Sequence, residues 1–282
     1  MRRVLRASTV LVLVMATTPV QAADADLDAQ AAERMRPVVG AAIEFYNEHS
    51  EDNLPALGSD QIQELLDGEV VRIRRRPARD QEDPPERVTG YHIIALPRTR
   101  VWVAALDPNF QATDMLTERR LQSDPVSGSL WHQYLSLPWP VSDRQWVVRV
   151  QVQHELARQT TNLIWELSWD LEAGGEELAR ESVASGLMGA ISEEQASDAV
   201  YVPANEGSWI LFSLEDEITL VAYRIVARVG GSIPDSWIAT FGMAQLTQLL
   251  DEVTAHAVQL DDDYDPALED ILGGDGEPIA AW

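Results

Sequence analysis

The sequence predicts an α+β fold in which a curved antiparallel β-sheet wraps around one long C-terminal α-helix and encloses a hydrophobic cavity. Three observations carry this expectation. The middle of the chain is a series of short strand patterns separated by turn residues, and strands joined by short turns pair antiparallel. The longest helical pattern, Asp235 to Val258, follows the last of them. A sheet with one apolar face needs a cover, and this helix is the only element long enough to supply it.

The elements follow in chain order. Residues 1 to 22 have the plan of a secretory signal: Arg2, Arg3 and Arg6, the apolar run Val10 to Met15, then Val20-Gln21-Ala22 as a small-residue cleavage site. The expected mature chain starts at Ala23 and has no second apolar stretch near the ~20 residues a membrane span needs. Residues 23 to 66 read as an N-terminal helical segment. Leu27, Ala31, Met35, Val38, Ala42 and Phe45 fall near one face of a helix over 26 to 48, with Pro37 as a kink. A short helix over Asp60 to Leu66 follows, with Asp60 as N-cap and Gly68 as stop.

Residues 67 to 258 read as the main domain. Glu69 to Arg76 alternates Val/Ile with Arg, and Arg87 to Leu96 is its expected partner strand across the loop ARDQEDPPE. Arg98 to Leu106 is a short helix ended by Asp107-Pro108. Strands are expected at Met115 to Gln122, Ser129 to Leu137 and Arg144 to Leu156, with turn chemistry at SDPVSG and PWPVSD. Asn162 to Leu171 puts Leu163, Trp165, Leu167 and Trp169 on one face and Asn162, Glu166 and Asp170 on the other, a period-two strand. Glu172 to Ser197 breaks the pattern and reads as an inserted helical or mobile segment. Strands resume at Ala199 to Pro203, Ser208 to Leu214 and Ile218 to Val229. The last helix carries Ala239, Gly242, Met243, Leu246, Leu249, Leu250, Val253 and Ala257 at three- and four-residue spacing. Residues 259 to 282, with DDDYD and GGDGE, read as an acidic, disordered tail with little to bury.

Composition excludes several functions. The chain has 282 residues and a formal net charge of -25, and 45% hydrophobic residues suffice for a substantial core. Removing Arg2, Arg3 and Arg6 takes the charge from -25 to -28. So acidic a surface repels nucleic acid and anionic head groups. With no cysteine the chain has no disulfide and no lipidated N-terminal Cys. The expected location is the periplasm, with secretion second.

Three passages resemble the START (steroidogenic acute regulatory protein-related lipid transfer) domains of the wider helix-grip, or SRPBCC, superfamily. RVTGYHIIALPRTRVWVAALDPNF is similar to the second strand and first grip helix. SLWHQYLSLPWPVSDRQWVVR is similar to the passage of strand, proline turn, Asp-Arg and next strand. GSWILFSLEDEITLVAYRIVARVGGSIPDSW is similar to the final hairpin and the start of the C-terminal helix. They come in family order within Glu69 to Ala257. The resemblance implies the helix-grip fold and a lipid-sized tunnel between sheet and last helix. It also implies binding or transfer of a sterol, hopanoid-like lipid, phospholipid or fatty acid. Some members carry a second Arg six residues after the hallmark Arg, directed into the cavity. Here that position is Val150, while Arg149 falls on the opposite face, which favours a more apolar ligand. The insert 172 to 197 is longer than the usual connection and is expected as an extra lid at the mouth.

No reaction chemistry stands out. His49, His92, His132, His154 and His256 are scattered, and no pair has the spacing of a helical metal site. No Gly-x-Ser-x-Gly elbow or phosphate loop occurs. Neither a catalytic residue, a metal nor a cofactor is assigned. Glu166 points away from the Trp face and reads as a salt-bridge partner or a solvated acid. The candidate ligand-binding residues are Tyr134, Trp165, Trp169, Trp209, Leu211 and Tyr223 on the strands, with Met243, Leu246 and Leu250 on the helix. Arg144 is expected to pair with a nearby carboxylate and hold the sheet.

Three functions remain open. The first is an exported, monomeric carrier of one hydrophobic molecule, with transient membrane contact. The second is an enzyme of the same fold, a cyclase, dehydratase or hydrolase using a pocket Tyr or carboxylate. The third is an interaction module whose cavity is filled.

Overall fold

The computed structural model describes residues 26–75, 87–107, 115–124, 128–228, 230–231, 235–260, 264 and 271–279, with backbone alone at 235–244. The expected leader 1 to 22, the loop ARDQEDPPE and parts of the tail lie outside these residues.

The chain runs through α1 (Ala29–His49), α2 (Ser59–Leu66), β1 (Val71–Arg75), β2 (Arg87–Ile94), α3 (Arg98–Leu106), β3 (Leu116–Asp124), β4 (Gly128–Leu135), β5 (Arg144–Val152) and α4 (His154–Gln159). It continues with β6 (Ile164–Leu171), α5 (Gly175–Ala184), α6 (Glu193–Asp198), β7 (Val200–Tyr201), β8 (Ala204–Glu215), β9 (Ile218–Arg228) and α7 (Asp235–Gln259). The main path of the curved sheet is antiparallel, in the order β1-β2-β9-β8-β6-β5-β4-β3, and β7 joins β5 in parallel. This is the expected α+β architecture.

Local chemistry sets several boundaries. Asp28 caps α1 by accepting from the Ala31 amide at 2.7 Å. Gly58, not Asp60, occupies the N-cap position of α2, and Gln61 Oε1 reaches back to its amide at 3.0 Å. Gly68 stops α2 with a φ of +83°. The strand expected over Arg144 to Leu156 ends at Val152, and HELARQ forms α4 instead. The turn after α4 holds Thr161 and Asn162 at φ of 51° and 61°, a reversal that periodicity alone does not announce.

Register decides which side chains share a face. One face carries Val88, Trp165, Trp209, Leu211, Val221 and Tyr223 and packs on Leu246, Leu250 and Val253 of α7 and Trp102 of α3. This is the concave side. The other carries Tyr91, Ile93, Ile164, Ile210, Phe212 and Leu220 and packs on Met35, Val39, Ile43 and Tyr46 of α1. The expected sheet has one apolar face and one cover. In the structure both faces are apolar in the central strands, and the N-terminal helical segment covers the second. Central strands buried on both sides leave no wet face.

Candidate functional site

The concave wall is built by β6, β8 and β9, whose register sets Trp209 beside Tyr223 and Leu211 beside Val221. The rings of Trp209 and Tyr223 meet edge to face at 4.6 Å between centroids, and Trp169 lies 5.6 Å from Tyr223. Such a cluster offers a continuous aromatic surface with defined geometry. Trp169 Nε1 donates to Asn205 Oδ1 at 2.9 Å, which fixes its ring. Opposite stand Leu246 and Leu250, both buried on the inner face of α7. The Met243 side chain lies outside the described residues.

Tyr223 keeps part of its surface accessible, yet burial alone pushes its hydroxyl well above the usual phenol range. The hydroxyl makes no hydrogen bond with a described residue. Leu167, Trp169, Ile225 and Leu249 likewise pack in this cluster while partly accessible. Apolar side chains that face a helix and still keep accessible surface are the ones an apolar ligand could reach.

Trp165, also on this face, has other company. Trp102 of α3 meets it edge to face at 5.4 Å, and the Arg98 guanidinium stacks over it at 3.9 Å. Its third neighbour is the tail, where Gly273 and Gly274 lie flat against the indole. The tail, read from sequence as having little to bury, returns to the domain over its described part 271–279. Ile271 is buried there and Trp102 Nε1 donates to Leu272 O at 2.9 Å. Three glycines in four residues hide this from a hydropathy reading, because backbone rather than side chain makes the contact.

Tyr134 does not join the concave wall. On β4 the residues Leu130, His132 and Tyr134 alternate onto the convex side, where Tyr134 packs with Val183, Met188, Ile191 and Ala196. Its hydroxyl lies 2.7 Å from Asp143 Oδ2. The insert that surrounds it forms α5 and α6 on the outer face of β4 and β5, away from the concave side, so it does not cover the expected mouth. His132 Nδ1 lies 2.6 Å from Ser182 Oγ in this layer, and burial lowers the imidazole to about 4.

Arg144 corrects another expectation. It is buried on the concave face, and its Nη1 donates to Ser142 O at 2.5 Å and Asp143 O at 3.1 Å, while Nη2 donates to Gly230 O at 3.1 Å. Among the described residues its hydrogen-bond partners are carbonyl oxygens, not a carboxylate. The Asp143 carboxylate is engaged by Tyr134 and by the Leu137 amide at 2.8 Å. Arg144 therefore ties the β4–β5 turn to the chain just before α7. Burial lowers its pKa, opposed by the charge of Asp143.

Glu166 is a salt-bridge partner, as one of its two expectations has it, but it is buried rather than solvated. It is buried on the convex face, where Tyr46 of α1 donates to its carboxylate at 3.1 Å and Arg224 Nη2 stands at 3.7 Å. Burial raises its pKa against the lowering effect of Arg224. This pair floors a cavity of about 420 Å³ between the end of α1, α4 and the sheet, rimmed by Asp52, Arg87 and Glu206. The cavity is polar and its charges are largely paired, as in Arg87 with Asp52 at 3.5 Å. Among the described residues no cluster could hold a metal ion, and no helix is long and apolar enough to cross a membrane.

No protein-family model matches the chain, and no curated protein does. Solved structures do. A fragment of the STAR-related lipid transfer protein from Xanthomonas axonopodis superposes with a TM-score of 0.50 at 16% identity, over 67% of this chain and 94% of that one. Human STARD10 superposes with a TM-score of 0.53 at 8% identity, over 83% of this chain and 80% of that one. At these identities the likeness shows the fold: a sheet wrapped around a C-terminal helix, as in START domains.

Proposed function

We propose that this chain, built on the START helix-grip fold, holds one hydrophobic molecule between the concave face of its sheet and α7 and carries it outside the cytoplasm. The observation that supports this most is the aromatic wall of Trp169, Tyr223 and Trp209, in which Trp209 is buried while Trp169 and Tyr223 stay partly accessible although they face the helix. The Xanthomonas axonopodis structure of this fold bears a lipid-transfer name, which agrees with the reading.

The wall favours an uncharged ligand. Val150 stands where a charged anchor would enter, and the two nearby guanidiniums are engaged, Arg144 by carbonyls and Arg98 by Trp165 and Asn162 O. Tyr223 offers one neutral hydroxyl. Sterols and hopanoid-like alcohols fit this wall better than phospholipids or fatty acids. A ligand burying ~400 Å² of apolar surface would gain about 10 kcal/mol before association and ordering costs are subtracted.

The arginine-led apolar leader 1 to 22 supports export to the periplasm, or secretion as second choice. Trp139, 90% exposed between Pro138 and Pro140, supports transient contact with a membrane of low charge, since indoles settle at the interface. Organic extraction and native mass spectrometry of the purified protein test the proposal. A co-purifying lipid is expected. An empty protein that also ignores fluorescent sterol and fatty-acid probes would overturn it.

A further inference from the structure

The described tail has the build of a removable closure. Its backbone bonds mostly to itself: Gly273 N donates to Glu277 O at 2.8 Å, Gly276 N to Gly273 O at 2.9 Å, and Leu272 bridges Pro278. It pairs with no strand of the sheet. Side chains of the domain hold it at three points. Trp102 Nε1 donates to Leu272 O at 2.9 Å, His154 Nδ1 donates to Gly274 O at 2.9 Å, and Asn162 Nδ2 donates to Asp275 Oδ2 at 2.8 Å. The rest of the attachment is indole contact. A Cβ at Gly274 would collide with Trp165 Cγ, so only a glycine lets the backbone lie this close to the indole.

Its position matters as much as its build. Ile271 and Ile279 join the same apolar cluster as Trp209, Leu211, Leu250 and Val253. The strap therefore lies at the end of the concave face where β6 begins, beside α3 and the C-terminal end of α7. Arg100 anchors that end of α7 by donating to Ala257 O at 2.8 Å, so the helix itself is held down. The insert is a worse candidate for opening, because Ala179 and Met188 are fully buried beneath it. A glycine-rich segment regains more backbone freedom on release than any other kind, which lowers the cost of opening.

We propose that segment 271–279 is a gate: closed, it occupies the Trp165 shelf and seals the cavity, and the hydrophobic molecule enters and leaves when it lifts. This rests on the carrier reading above. Opening would expose Trp165 and Trp102, and a ligand ring could stack where the glycines lay.

The chain contains no cysteine, so Asn162→Cys/Asp275→Cys introduces one unambiguous pair, closed as a disulfide or with a short bis-maleimide. The protein is loaded with a fluorescent sterol or a fluorescent fatty acid, whichever it retains, and release to phosphatidylcholine vesicles is followed. Bridged protein is expected to release at least tenfold more slowly than the same protein unbridged, while wild type ignores the reductant. Equal rates would overturn the gate and leave the carrier reading intact. If no form retains either probe, both fall. As a second variant, Gly274→Val should raise hydrogen exchange over 271–279 and speed release. A strap loosened by that measure with release unchanged would also overturn the gate.

Discussion

Leu246 of α7 rests on Gly90 of β2 so closely that a Cβ on Gly90 would stand 2.7 Å from Leu246 Cδ2. The contact sets how near the helix comes to the sheet, and so the depth of the space beside Tyr223, which pairs with Gly90 in register. Gly90→Val should cost about 1–3 kcal/mol by overpacking, read as a lower urea midpoint, and Leu246→Ala should restore part of it. A variant as stable as wild type would show that α7 yields freely.

Arg144 gives a second expectation. Arg144→Met removes the donors of three carbonyls and should cost about 2–4 kcal/mol. Arg144→Lys should recover little, because one ammonium cannot reproduce the planar fork that spans Ser142, Asp143 and Gly230. Full recovery by Lys would mean that charge alone matters there.

Acid should weaken the fold through two buried imidazoles. Burial lowers both His92 and His132 to about 4. The unfolded chain takes up these protons near pH 6.5 and the folded chain only near 4, so their contribution is complete above pH ~6.5 and is lost as pH falls through that window. Each accounts for about 3 kcal/mol. Glu166, raised by burial, acts in the opposite sense, because the folded chain holds its proton more tightly. Urea midpoints measured from pH 7 to pH 4 should fall, and His132→Gln should flatten the slope by close to one proton. An unchanged slope in that variant would refute the assignment.

The convex pair predicts strong non-additivity. Arg224→Leu alone leaves the buried Glu166 without its cation and should cost about 3–5 kcal/mol, whereas Glu166→Leu leaves Arg224 paired with Asp52 at 3.4 Å and should cost less. The double variant should cost clearly less than the two together. Additive losses would show that the 3.7 Å approach carries no coupling.

For the concave wall, Tyr223→Phe separates two roles. A hydroxyl that hydrogen-bonds the ligand should cost roughly tenfold in affinity for a sterol alcohol, about 1.4 kcal/mol, and nothing for the matching hydrocarbon. Loss of turnover with retained ligand would point instead to an enzyme of the same fold.

Much of the fold was legible because the signals are local. Period-two alternation placed Trp165 and Trp169 on one face of β6, and three- and four-residue spacing placed Leu246 and Leu250 together on α7. The passage around Asp143 and Arg144 marked the corner between β4 and β5. The reading of Tyr134 as a wall residue failed because alternation says which residues share a face without saying which face looks inward.

What the sequence determined by itself is the order of the main strands and the two long helices, the sheet-and-helix architecture and the aromatic stripe on β6, β8 and β9; α4 was not among them. Tertiary structure alone decided that α1 covers the outer face, that Arg144 binds carbonyls, that Glu166 meets Arg224 and Tyr46, and that the tail lies on Trp165. The reason is distance along the chain: Glu166 and Tyr46 are 120 residues apart, and Trp102 and Leu272 are 170 apart. Periodicity reports a residue's neighbours within a turn or a strand. Contacts between remote backbone glycines, buried ions and indoles are chosen only when the elements pack.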